Sequence, residues 1–276
     1  MAKKDDQASP KPISIIGLGN MGEALLGGLS RSSEFNTSSI HVFDQHQDRR
    51  QSLAKFHSCK EIQDISELKT LGGVIILCVK PHDLGALASA LRGKLDKVEM
   101  IVSILAGSTI SHIKTELAYE GGVVRAMPNI AATIGEAATA MASNEVCSKS
   151  NKFLVEAIFK GVGEAYWVKE DLMDTVTGLS GSGPAYIYMV IEALTEGGVK
   201  MGLPRELSRN LATQTVLGAA SLVKQTGQHP AILRDQVTTP AGTTISALHE
   251  LEERGLRSMF VSAVETATER SRSIGK

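Results

Sequence analysis

The chain has 276 residues, 42% hydrophobic and 21% charged, with 29 basic and 30 acidic side chains giving a net charge of −1. That balance offers no basic surface to nucleic acid or an anionic membrane, and the length suits one large domain or two modest ones. Cys59, Cys78 and Cys147 form no C-x-x-C and no Cys/His cluster, so neither a disulfide framework nor a metal site is expected, and the cytoplasm is the expected setting.

The first twelve residues, MAKKDDQASPKP, hold no apolar segment of the kind a secretion signal needs, and they read as a short disordered lead. Short β-branched runs then alternate with amphipathic stretches. ISII (13–16), IHVF (40–43), GVIILCV (73–79), MIVSIL (100–105) and GVVRAM (122–127) are predicted strands. Residues 21–32, 46–56, 82–92 and 109–118 carry helical spacing between them. Strands apolar on both faces and separated by helices predict a doubly wound parallel α/β sheet. AATAMAS (137–143) and AYWVK (165–169) add strands around a helix at 149–160. The run VIILCV (74–79) is too short to span a bilayer, so no membrane partner is expected.

The first loop carries chemistry. ISIIGLGNMGEALLGGL sets Gly17, Gly19 and Gly22 in a G-x-G-x-x-G directly after a strand and at a helix start. Gly17 serves the tight turn, Gly19 lets a pyrophosphate approach the backbone, and Gly22 lets helix and strand pack closely. With Asn20 and Met21 between them, these residues form the predicted dinucleotide site at a helix N-terminus. Asp44 ends the next strand, where an acidic residue accepts hydrogen bonds from an adenosine ribose, which favours NAD. Arg49 and Arg50 follow. If they reach a 2′-phosphate they favour NADP; if they lie on a solvated helix start they favour neither.

Open α/β sheets bind ligands beyond the carboxyl ends of their strands, so later strand ends join this site. CVKP contributes Cys78, Lys80 and Pro81, and SILAG contributes Ser103, Ala106 and Gly107. Cys78 reads as a small packing residue rather than a nucleophile, with no histidine evident beside it.

After Lys169 the pattern changes. No strand is expected, and 184–200, 204–225, 240–253 and 256–271 read as helices separated by GLPRE, GQHP and ERG. A dinucleotide-binding domain at 13–169 and a helical domain at 170–276 are therefore predicted. The second is small and rich in Ala, Gly, Leu and Val, so a second copy of the chain is expected to complete its core.

Five stretches occur in order: IGLGNMGEALLGGL, CVKP, RAMPN (125–129), GLSGSGPAY (178–186) and LRDQVTTPAGTTISALHELE (233–252). Together they resemble the pyrroline-5-carboxylate reductase family, from about Ile13 to the end of the chain, and the last block is the most specific. The resemblance implies an N-terminal Rossmann domain and a C-terminal helical domain that forms a homodimer, with dimers often assembling into decamers. It implies reduction of L-1-pyrroline-5-carboxylate to L-proline with NADPH, NADH being the alternative coenzyme (NADP or NAD when oxidised). It also puts Thr239, Gly242 and Thr243 around the substrate carboxylate, with the Thr244 hydroxyl as the catalytic contact at the ring nitrogen. Pro128 and Asn129 would lie near the nicotinamide. The chain departs from the family's usual Pro-Gly-Gly by carrying Ala241.

The residues bear this chemistry without the name. Thr239 fits an N-cap and Pro240 the first helical position, which leaves the N–H groups of Ala241, Gly242 and Thr243 to meet a carboxylate. Reducing a cyclic imine needs placement more than a strong acid, because the imine can arrive protonated. The nearby His229 and His249 accordingly read as helix-terminal or surface residues. A β-hydroxyacid dehydrogenase, the main rival, resembles this chain but places a lysine within a turn of its glycine-rich segment. Here no lysine follows GSGPA before Lys200. A regulator that had lost its activity would have no use for the intact threonine stretch.

Overall fold

The computed structural model describes residues 11–274; of the disordered lead expected at 1–12, residues 1–10 lie outside the described residues, whereas Pro12 is ordered, its carbonyl accepting from the Val74 N–H at 2.9 Å. The first half of the chain alternates β1 (Ile13–Ile16), α1 (Asn20–Arg31), β2 (Ile40–Phe43), α2 (Gln47–His57), β3 (Lys60–Glu61), α3 (Leu68–Leu71) and β4 (Gly73–Leu77). It continues through α4 (Leu84–Leu91), β5 (Val98–Ser103), α5 (Ile110–Leu117) and β6 (Gly122–Met127). Then follow β7 (Ala137–Ser143), α6 (Lys149–Lys160), β8 (Gly163–Trp167) and α7 (Met173–Val176).

The strands form one sheet in the order β3-β2-β1-β4-β5-β6-β7-β8. All neighbours run parallel except β6 and β7. A parallel partner needs a crossover of a dozen or more residues, and only the short turn Ile130–Ile134 joins β6 to β7, so that pair is antiparallel.

The uniformly apolar strands serve two layers. Ile15, Val42, Ile76 and Val102 pack with Leu25, Leu29, Ile158 and Phe159 of α1 and α6. Their neighbours Ile16, Ile75, Leu77 and Ile101 face the other way, against Leu84, Leu91, Ile113 and Leu117 of α4 and α5. Each strand residue thus finds helix on one side or the other, which is why no polar alternation is visible.

Three strands are displaced from their sequence pattern. β4 stops at Leu77 instead of running to Val79, β5 starts at Val98 instead of Met100, and β8 runs Gly163–Trp167 instead of 165–169. Cys78 and Val79 are apolar yet lie past the strand end, where they cover the first loop. Strand β3 has only two residues, both charged, so hydrophobic pattern could not reveal it.

Among the described residues, 11–181 and 267–274 form one compact unit, and Ser182–Thr266 form another. The second holds α8 (Gly183–Lys200), α9 (Arg205–Thr226), α10 (Pro230–Gln236), α11 (Thr243–Glu253) and most of α12 (Leu256–Ile274). Among the described residues no strand follows Trp167. Where α8 meets α9, the Ser208 hydroxyl donates to the Thr195 carbonyl at 2.8 Å. A Cβ on Gly198 would stand 2.2 Å from that hydroxyl oxygen, so only glycine permits the approach. Among the described residues of this unit, Ala212 is the only buried apolar side chain, while Ile187, Tyr188, Met189, Leu211 and Leu217 are exposed. One buried alanine is no core for five helices, and so much bare apolar surface calls for a partner.

Candidate active site

The first loop is shaped by what glycine permits. Gly17 has φ +94°, and a Cβ there would lie 2.9 Å from the Cys78 carbonyl. A Cβ on Gly22 would fall 2.0 Å from the Gly17 oxygen, so α1 can meet the loop only without a side chain at 22. Gly19 differs. Its backbone is ordinary, at φ −63° and ψ −173°, and a Cβ would meet no atom within 4 Å. The fold does not need glycine at 19, yet its absence of side chain keeps the helix end bare. Among the described residues no side chain caps α1, so the N–H groups of Asn20, Met21 and Gly22 stay open to an anion. This cradle fits a dinucleotide pyrophosphate.

Beside it opens a cleft of about 340 Å³ bordered by Gly17, Gly19, Asp44, Cys78 and Lys80. Sequence missed its other wall, where Gln45, His46, Asp83 and Leu87 stand. His46 alone had a signal, two places beyond the strand-end acid. Asp44 accepts from the Leu18 N–H at 2.7 Å through Oδ2 and from the His46 N–H at 2.9 Å through Oδ1. Arg49 and Arg50 do not line the cleft. Arg49 pairs with Glu23 at 2.8 Å. Arg50 is buried and donates to Glu61 at 3.3 Å, to Gln63 at 3.1 Å and to the Asp44 carbonyl at 3.1 Å. Desolvation pushes the Cys78 thiol well above the ordinary cysteine range.

The remaining positions divide. Pro81 opens an exposed 3₁₀ turn after Lys80. Ser103 is fully buried, and its hydroxyl accepts from the Leu105 N–H at 3.3 Å to shape the turn that leads to Ala106 and Gly107. Gly107 takes φ +74°. Asn129, just past β6, donates through Nδ2 to the Ser180 carbonyl at 3.1 Å, while its Oδ1 is buried with no partner among the described residues. Ser180 belongs to a π-helical turn, Thr177–Gly181, that no sequence pattern announced. Sequence also missed Arg125, buried in β6 and paired with Asp174 at 3.3 Å, which in turn accepts from the Ser271 hydroxyl at 2.8 Å. An arginine inside an otherwise apolar strand was the available sign.

The threonine stretch corrects one expectation. Thr239 is not an N-cap and Pro240 is not the first helical residue: α11 begins at Thr243, with Gly242 as its N-cap. Thr239–Gly242 forms a β-turn instead, closed by the Gly242 N–H donating to the Thr239 carbonyl at 3.1 Å. Pro240 takes the second place of the turn, and Ala241 takes the third at φ +57°, the conformation a type II turn requires. The Gly242 N–H is therefore spent. Among the described residues no side chain caps α11, so the open donors are those of its first turn, from Thr243, Thr244 and Ile245. His229 caps α10 by accepting from the Ala231 N–H at 3.2 Å, and His249 is exposed on α11.

A doubly wound sheet with a bare glycine-lined helix end, an acid at the close of β2 and a separate helical unit define an oxidoreductase of the Rossmann class. A family model described as pyrroline-5-carboxylate reductase dimerisation matches residues 170–274, and one described as NADP oxidoreductase, coenzyme F420-dependent, matches 12–107. Pyrroline-5-carboxylate reductases of a Synechocystis strain and of Methanosarcina acetivorans are each 41% identical over 96% of this chain and 98% of their own length. The solved structure of such a reductase from Coxiella burnetii superposes with a TM-score of 0.91 at 34% identity, covering 96% of this chain and 99% of that one. The chain belongs to the pyrroline-5-carboxylate reductase family.

Proposed function

We propose that the chain reduces L-1-pyrroline-5-carboxylate to L-proline with NADPH or NADH, the closing step of proline biosynthesis. The structure of the Plasmodium falciparum pyrroline carboxylate reductase, 31% identical over 96% of this chain with a TM-score of 0.85, was solved with NADP bound and supports that coenzyme class. The bound coenzyme supplies the hydride that saturates the C=N bond. Gly17 and Gly19 shape the loop, the open N–H groups of Asn20, Met21 and Gly22 hold its pyrophosphate, and Asp44 faces its ribose. Cys78, Lys80 and Pro81, with Ser103, Ala106 and Gly107, frame it along the strand ends. Asn129, whose buried Oδ1 has no partner among the described residues, stands at the nicotinamide end.

One observation carries the substrate assignment. The left-handed turn at Ala241 leaves the first turn of α11 uncapped beside two threonine hydroxyls. The open N–H groups of Thr243 and Thr244 receive the substrate carboxylate there without an arginine, the Thr239 hydroxyl stands beside them, Gly242 closes the turn that frees them, and the Thr244 hydroxyl orients the ring nitrogen. The helical domain at 170–276 joins two copies, and dimers assemble further into decamers. The cytoplasm is the proposed setting.

The test is consumption of reduced coenzyme by the purified protein when pyrroline-5-carboxylate is added. Turnover requiring the five-membered imine carboxylate is expected. Equal turnover of a 2-hydroxy acid with oxidised coenzyme would overturn the assignment.

A further inference from the structure

Three observations bear on which coenzyme the cleft prefers. The Asp44 carboxylate is fixed at the end of β2 by two backbone N–H groups, one on each oxygen. It cannot swing aside to admit a second anion without leaving both donors unpaired, one of them in the phosphate loop itself. Of the two arginines that a 2′-phosphate would recruit, Arg50 is held at a buried site shared by Glu61, Gln63 and the ring of Phe43, and Arg49 stands outside the cleft lining in a surface pair with Glu23. What remains on the cleft wall is Lys80 and His46 against Asp44 and Asp83, with no excess of positive charge and no guanidinium fork.

We infer that Asp44 selects the coenzyme by charge: the cleft accepts the ribose 2′-hydroxyl of NADH and penalises the 2′-phosphate of NADPH, so NADH is the better-bound coenzyme. This rests on the proposal above that a nicotinamide dinucleotide occupies the cleft. A ribose hydroxyl donates to the carboxylate that a phosphate must face as a like charge, and in a partly desolvated cleft the difference is worth about tenfold or more in affinity.

Binding of NADH and of NADPH to the intact protein, each titrated calorimetrically without substrate, tests this. NADH is expected to bind about tenfold tighter at low ionic strength, with the gap narrowing as salt screens the repulsion. Asp44→Asn keeps an acceptor for the loop and removes the charge, and should lower the NADPH-to-NADH ratio of dissociation constants about tenfold. Gln45→Arg leaves Asp44 and its two donors untouched, adds a cation on the cleft wall and should shift the ratio the same way. NADPH binding as tightly as NADH in the wild type overturns the inference, as does a ratio unmoved in both variants. So does an Arg49→Gln variant that loses NADPH alone. Binding of neither nucleotide removes the dinucleotide assignment itself.

Discussion

Gly19 and Gly22 stand three residues apart in one motif, but the structure assigns them different tasks that two alanine variants separate. A Cβ at 22 would sit 2.0 Å from the Gly17 oxygen and 3.0 Å from its carbon, both backbone atoms that cannot turn away. Helix α1 must then lift off the loop, at a cost of about 1–3 kcal/mol for overpacking. For a chain of this size that lowers Tm by roughly 2–12 °C. At 19 the same methyl meets nothing within 4 Å, and φ −63° suits alanine. Stability should hold within about 0.5 kcal/mol or rise, because alanine loses less backbone freedom on folding. Its methyl nevertheless points into the space kept for the pyrophosphate. Losing one or two charge-assisted hydrogen bonds of about 1.5 kcal/mol or more each weakens coenzyme binding roughly tenfold to several hundredfold. Thermal unfolding and coenzyme titration of the two variants make the test. Wild-type coenzyme affinity in Gly19→Ala, or a destabilisation equal to that of Gly22→Ala, would refute the division of labour.

Thr244→Val keeps the shape and removes the hydroxyl, so kcat/KM for pyrroline-5-carboxylate should fall roughly 5- to 150-fold while coenzyme affinity and Tm stay put. Ala241→Gly removes a left-handed strain of about 1–2 kcal/mol and adds about 0.4–1 kcal/mol of chain entropy, so unfolding measurements should show it equal to or slightly more stable than the wild type. Burial holds the His41 imidazole below its usual 6.5, overriding the Ser39 carbonyl that pulls it up, so the folded state resists protonation. The stability this gives is complete above about pH 6.5 and lost as pH falls through the lower folded value; Tm of His41→Gln should therefore decline less on acidification through that window. A decline as steep as the wild type's would remove His41 as the cause.

The parallel sheet was legible because each strand pays for burial on both faces with its own residues. ISII and IHVF mark their strands to the residue, and the glycine loop marks the uncapped start of α1. Legibility ended where structure depends on distant partners. Strand β3, Lys60–Glu61, exists because β2 offers it an edge, and α10 is a seven-residue helix set by Pro230 and the His229 cap. The fate of Arg49 and Arg50 turned on Glu23, Glu61 and Gln63, residues up to 26 positions away. No local pattern distinguishes an arginine free to bind phosphate from one already held by a carboxylate.

The threonine stretch shows a local signal misread for a physical reason. Proline suits the first position of a helix, but it suits the second position of a β-turn equally, since both need φ near −65°. What decides is the residue after it. A helix needs Ala241 right-handed, whereas here it is left-handed and the Gly242 N–H turns back to Thr239. A Cβ at 242 would lie 2.3 Å from the Thr239 hydroxyl oxygen, so a side chain there would have to displace that hydroxyl. The displacement moves the open donors from Ala241–Thr243 to Thr243–Ile245. Thr243 and Thr244 then carry both a backbone donor and a hydroxyl at the same helix end, which a helix started at Pro240 would have split between its first and second turns. A small anion with a polar ring atom attached is the guest such a paired arrangement suits.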